Sequence, residues 1–88
     1  MLKIDTGNGI ELNAKLVIQT KHKGTPRLMI DIENATLARA VQALDGAKEL
    51  VVTDGSAPGV TTIYKDYSRI VYAGYSEQGG VRVTLERS

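Results

Sequence analysis

The chain has 88 residues, which fits a single domain over 1–88 and leaves no room for a second core. Hydrophobic residues make up 42% of it, yet it has no Phe, no Trp and four Tyr, so an aliphatic core of Ile, Val and Leu is expected. A formal net charge of +1 excludes a long-range field for polyanions or anionic membranes, and the absence of Cys excludes disulfides, thiolate metal sites and thiol nucleophiles together.

In chain order, Leu2-Lys3-Ile4 alternates and Thr6-Gly7-Asn8-Gly9 follows as a turn. Asn-Gly favours a type I′ hairpin because both residues tolerate positive φ. Ile10-Glu11-Leu12 resumes the alternation, and the strand continues through Lys15–Thr20 with Leu16 and Ile18 on the core face and Val17 opposite. Asn13-Ala14 has weak strand character and marks a bulge or bend. The stretch from Lys21 to Pro26 contains Gly24 and Pro26 but no apolar aliphatic residue, and predicts a loop. Leu28, Ile30 and Ile32 then alternate with Met29, Asp31 and Glu33 as a strand with one buried face.

The period changes at Leu37, Val41 and Leu44, which share one stripe of a helix predicted over Thr36–Asp45. Asn34 or Thr36 supplies its N-cap and Gly46 its C-terminal left-handed residue. About ten residues do not hold a helix alone, so it must dock on the sheet. Strands follow at Glu49–Thr53, Val60–Tyr64, Tyr67–Tyr75 and Val81–Glu86. The intervening turns are Asp54-Gly55 extended by Ser56-Ala57-Pro58-Gly59, then Lys65-Asp66, then Glu77-Gln78-Gly79-Gly80. The fold class is α+β: an antiparallel sheet of six or seven strands, able to curl into a partial barrel, with one short helix packed on one face in the order βββ-α-ββββ. Leu28, Ile30, Ile32, Val41, Leu44, Val83 and Leu85 are the expected core.

Residue types that carry chemistry are sparse. His22, the only histidine, lies between two lysines in the expected loop and reads as solvated. Asp31 and Glu33 share a strand face, an arrangement that can bind a cation but more often forms the wet side of a strand. Asp54-Gly55-Ser56 lacks the later ligands of a calcium loop and reads as a turn. Gly7-Asn8-Gly9 and Gly79-Gly80 each precede a strand rather than a helix, which fits hairpin turns and not phosphate loops. Lys21, Lys23 and Arg27 form a cationic stretch, with Lys15 near it, and Tyr64, Tyr67, Tyr72 and Tyr75 crowd into a short segment. Basic residues beside exposed rings on a sheet are the layout of single-strand nucleic acid binders. The competing reading places the tyrosines at cross-strand and rim positions, with Tyr72 sharing the parity of Ile70 and half-buried.

The second half, through Leu37–Leu44, Glu49–Asp54, Ile63-Tyr64-Lys65-Asp66-Tyr67 and Gly79-Gly80-Val81-Arg82-Val83-Thr84-Leu85, resembles small uncharacterised phage and prophage proteins of Gram-positive bacteria. That resemblance implies a structural or accessory role and brings no catalytic residue with it.

The expectation is therefore a non-enzymatic protein-interaction or assembly module without a cofactor, acting through sheet edges or an aliphatic face on a protein partner or on itself. The alternative is a single-stranded nucleic-acid binder using Lys15, Lys21, Lys23, Arg27, Tyr64, Tyr67 and Tyr75. No apolar run reaches about 18 residues, so no membrane span is expected. With no signal peptide at Met1-Leu2-Lys3-Ile4-Asp5, the expected location is the cytoplasm, or the virion if phage-encoded. Edges with few guards, Pro26 and Pro58 being expected in loops, and the apolar Val17, Met29 and Val51 on the nominally wet face point to a homo-oligomer, most simply a symmetric dimer, with a sheet curled around its own core as the alternative.

Overall fold

The computed structural model describes residues 2–56, 59–77 and 79–87. The strands are β1 (Leu2–Asp5), β2 (Glu11–His22), β3 (Thr25–Ile32), β4 (Glu49–Asp54), β5 (Thr61–Lys65), β6 (Arg69–Tyr75) and β7 (Val81–Glu86), with one helix, α1 (Leu37–Leu44), between β3 and β4. All seven strands form one antiparallel sheet in the order β5-β4-β1-β2-β3-β7-β6.

The outermost strands, β5 and β6, are consecutive in the chain and joined only by Asp66, Tyr67 and Ser68. Laid flat, seven strands would hold them roughly 29 Å apart, whereas four Cα steps span at most about 15 Å. The sheet therefore curls. It does not close, because no ladder pairs β5 with β6 among the described residues. The backbone of Asp66 donates to Lys48 O and that of Gly46 to Ser68 O, which ties the link between the edges to the segment following α1.

Inside the curl lie Ile4, Leu12, Ala14, Leu28, Ile30, Ile32, Leu50, Val52, Val81, Val83 and Leu85, contributed by five of the seven strands. The two outermost strands add the partly buried Tyr64, Ile70 and Ala73. The helix packs over β6 and β7. Thr36 caps it by accepting from Arg39 N, and Asn34 instead accepts from Asn13 N. The expected core holds with one exception. Ala40, Ala43 and Leu44 are the buried helix residues, while Val41 is only half-buried. At about 100° per residue Val41 lies 100° around the helix from Ala40, and alanine at the centre of the stripe brings the helix axis close to the strands. One ring joins the aliphatic core: Tyr67 is 3% exposed and its hydroxyl accepts from Gln19 Nε2 at 2.9 Å.

The hairpins differ from expectation in a connected way. The segment expected as a loop over 21–26 is instead strand on both sides of a two-residue turn, with Lys21 opposite Pro26 and His22 opposite Thr25. Lys23 (φ 51°) and Gly24 (φ 83°) take the left-handed conformations of a type I′ hairpin. Pro26 thus lies in a strand, and Pro58 lies outside the described residues. The Asn-Gly site forms a wider loop between Asp5 and Glu11, in which Gly7 and Gly9 but not Asn8 have positive φ. There the Thr6 hydroxyl donates to Asn8 Oδ1, and Asn8 Nδ2 reaches Ala43 O at 3.4 Å. That bond fastens the loop to the last turn of α1.

Two bulges set which side chains face out. The register of β2 shifts between Ala14 and Leu16, with Lys15 as the extra residue, one position beyond the expected weak point. Val17 consequently packs against the core, while Leu16 and Ile18 point outward at 39% and 37% exposure, the reverse of the simple alternation. In β6 the shift between Ile70 and Tyr72 has the same consequence. Ile70 packs inward and Tyr72 stands outside at 52% exposure, not on the half-buried face shared with Ile70.

Candidate functional site

The bulge in β2 creates the most distinctive outer surface. Cross-strand pairing places three rows across β2, β3, β7 and β6 on the convex side. The middle row runs Ile18, Met29, Thr84, Tyr72. On one side of it lie Leu16, Asp31, Arg82 and Gly74, and on the other Thr20, Arg27, Glu86 and Arg69. An apolar strip is thus flanked by two charged rows.

Within each charged row the charges are already paired. Arg82 grips Asp31 through two bonds, Nε to Oδ1 at 2.8 Å and Nη2 to Oδ2 at 3.2 Å. Its hydrogen bond to Asp31, together with the carboxylate's charge, raises the guanidinium pKa above its ordinary value. Arg27 Nε donates to Glu86 Oε2 at 3.0 Å, and Arg69 Nη1 approaches Glu86 Oε1 at 3.7 Å. Planar forks of this kind hold their geometry better than lysine pairs do. The Asp31–Arg82 row can lose water without stranding a lone charge, whereas Arg27 and Arg69 share the single carboxylate of Glu86.

A hollow of about 750 Å³ opens at one corner, between Leu16, Tyr72, Tyr75, Glu77 and Arg82. The Tyr72 ring leans along its strand onto Gly74, where an added Cβ would lie 2.8 Å from Tyr72 Oη. Glycine at that position lets the ring lie over its own strand. Tyr75, 66% exposed at the end of β6, forms the rim.

The sequence-derived candidates do not form one surface. Arg27 is bound to Glu86 on the convex face, and Lys15 pairs with Glu33 at 3.7 Å. Tyr75 belongs to the convex hollow. Lys23 and His22 are exposed at the tip of the β2–β3 hairpin. Only Lys21, Tyr64 and Tyr67 come together, in two adjoining hollows at the inner end of the curl that also take in Gln19, Lys65 and Arg87. There the rings meet edge to face, with centroids 6.1 Å apart. Tyr67 is buried and Tyr64 half-buried, so neither offers an open face for a base to stack on.

The remaining candidates resolve as structural features. Asp31 and Glu33 are engaged separately, by Arg82 and Lys15, and β3 ends before Glu33. Among the described residues no group of three His, Cys, Asp or Glu side chains could hold a metal ion. Asp54 accepts from Ser56 Oγ at 2.7 Å and from Ser56 N at 2.9 Å, a self-contained turn, and these bonds hold its carboxyl below the usual range. Gly79 and Gly80 lie in the β6–β7 turn, whose Gln78 is outside the described residues. Among the described residues no helix is long and apolar enough to cross a membrane.

The outer strip was missed from sequence because its members were assigned to opposite faces. The one available signal was the apolar run Leu16-Val17-Ile18 directly after the weak Asn13-Ala14. No family model, curated protein or solved structure matches the chain.

Proposed function

We propose that this chain is a non-enzymatic protein-interaction module that binds through the convex β2-β3-β7-β6 face. The observation that carries the reading is the row of exposed Ile18, half-buried Met29, Thr84 and exposed Tyr72, beside exposed Leu16, between two rows whose charges pair within the chain. Contiguous exposed apolar groups rimmed by polar ones mark contact surfaces more often than catalytic ones. Aromatic residues, methionine and arginine are the types enriched where proteins meet. The resemblance to phage and prophage proteins suggests assembly of, or service to, a virus particle as the setting.

Single-stranded nucleic acid is the weaker reading. Its supporting observation is the meeting of Lys21, Tyr64 and Tyr67 with Lys65 and Arg87 at the inner end. The buried state of Tyr67 and the pairing of Arg27 and Lys15 remove most of what that reading requires.

The test is site-directed photo-crosslinking in cells that produce the protein. A photoreactive amino acid replacing Ile18 should yield a protein adduct, and one replacing Lys3, on the outer side of β1, should not. Absence of any adduct from position 18 would sink the interaction reading.

A further inference from the structure

The four charges nearest the centre of the convex face form a checkerboard. Along β3 they run Asp31 then Arg27, and along the neighbouring β7 they run Arg82 then Glu86. Negative therefore lies diagonal to negative and positive diagonal to positive. A surface of this kind complements itself. Turned over about a two-fold axis parallel to the strands, Asp31 meets a second copy's Arg82, and Arg27 meets a second copy's Glu86. The same operation lays β2 over the second copy's β6, so that Ile18 faces the second copy's Tyr72, Leu16 faces the Tyr72 ring where it lies over Gly74, and Met29 faces Thr84. The alternative in-plane axis, perpendicular to the strands, also matches the charges and sets Ile18 on Ile18 and Met29 on Met29, but it puts Leu16 on Thr20 and the Tyr72 ring, which lies over Gly74, against Arg69. The placement of Leu16 and of the Tyr72 ring therefore favours the strand-parallel axis.

From this geometry we propose that the partner of the convex face is a second copy of the same chain, in an isologous dimer whose two-fold axis runs between β3 and β7. This rests on the interaction reading above and names its occupant. Closed two-fold symmetry requires the same patch on both subunits to be self-complementary, and the checkerboard meets that condition. The size of the patch sets the strength. Four strands about 4.8 Å apart and three rows along them give a contact of roughly 20 by 20 Å, further narrowed by the curl. That is well below the roughly 800 Å² per partner of a standard stable interface, so the dimer is weak and reversible.

Sedimentation equilibrium from about 10 µM to about 1 mM tests it, with circular dichroism melts to establish that each variant folds. The wild-type chain should pass reversibly from monomer to dimer, and Ile18→Glu should weaken association by about tenfold or more. Asp31→Arg or Arg82→Asp alone sets like charges against each other and should also weaken it about tenfold. The double reversal Asp31→Arg with Arg82→Asp keeps opposite charges together both within each chain and across the strand-parallel axis. It should dimerise within about threefold of wild type. About the perpendicular axis the same double reversal would set the introduced arginine on Arg27 and the introduced aspartate on Glu86, so a double variant as weak as the singles overturns the proposed dimer. A chain that stays monomeric at about 1 mM, or a dimer indifferent to Ile18→Glu, overturns it as well. If the chain is monomeric while position 18 still crosslinks to a different protein, the interaction reading stands and the second copy is ruled out.

Discussion

The two faces of strand β3 show how differently one sheet treats neighbouring residues. Leu28, Ile30 and Ile32 point into the curl and are completely or almost completely buried. Arg27, Met29 and Asp31, each one residue away, point out and are half-buried only by their neighbours across the strands. Inside, every contact is aliphatic, so stability there depends on volume and on the absence of charge. Outside, stability depends on pairing, and exposed pairs contribute little, typically about 0.2–1 kcal/mol each. Substitutions on the convex face should therefore cost the fold less than substitutions inside the curl.

The largest effect should come from forcing the outer chemistry onto the inner face. Ile30→Asp buries a carboxylate with no partner among Leu12, Val83 and the other aliphatic side chains, and should abolish the cooperative melt altogether. Thr84→Asp, on β7 opposite Met29 and Tyr72, should leave a folded protein with a melting temperature within about 5 °C of the parent. Equal losses from the two variants would mean that the faces are not assigned as described.

Much of this was legible in the sequence and some of it was not. The element order and six of the seven expected core residues follow from alternation and from the change of period at Leu37, and Thr36 is one of the two caps that the sequence offered. Alternation fails wherever a bulge adds a residue, because one extra position inverts every later assignment on that strand. Lys15 does this to Leu16, Val17 and Ile18, and Val71 does it to Tyr72. The convex strip, which depends on both bulges, was therefore invisible to a period-two reading. The tight hairpin at Lys23-Gly24 escaped for another reason. Lysine in a left-handed conformation has no composition signal, whereas the stronger Asn-Gly signal at residues 8 and 9 lies in a wider loop in which Asn8 keeps a negative φ and reaches Ala43 O.

A smaller effect distinguishes adjacent residues on the re-registered part of β2. Val17→Ala removes two methyl groups packed against the core and should cost about 1 kcal/mol, a fall of roughly 4–8 °C in Tm. Ile18→Ala removes a larger side chain that is already more than a third exposed, and should cost under about 0.5 kcal/mol. Simple alternation predicts the opposite order, so urea or thermal melts of these two variants decide directly which residue faces the core.

A similarly small effect should come from removing the bulge itself. Ala14 faces Ile32, Leu16 faces Asp31 and Val17 faces Ile30, so Lys15 is the only residue of this stretch without an opposite number on β3. Deleting it leaves Ala14 and Val17 inward and Leu16 and Ile18 outward, now on an unbroken ladder. What is lost is a local bend and the Lys15–Glu33 pair, which is 3.7 Å long and exposed on the lysine side. Exposed pairs of this kind contribute about 0.2–1 kcal/mol, so the deletion should lower Tm by less than about 5 °C and leave association through Ile18 in place. Deleting Val17 instead lets the bulge take up the loss, with Lys15 moving opposite Asp31 and Leu16 opposite Ile30, so Ile18 through His22 keep their partners. That protein should stay folded with Leu16 in the place of Val17, at a cost above that of the Lys15 deletion because a larger side chain must fit the same site. Cross-strand amide contacts in the NMR spectrum of the Lys15 deletion provide the check, and loss of the contact between residues 17 and 30 would show that the bulge determines the register instead of merely interrupting it.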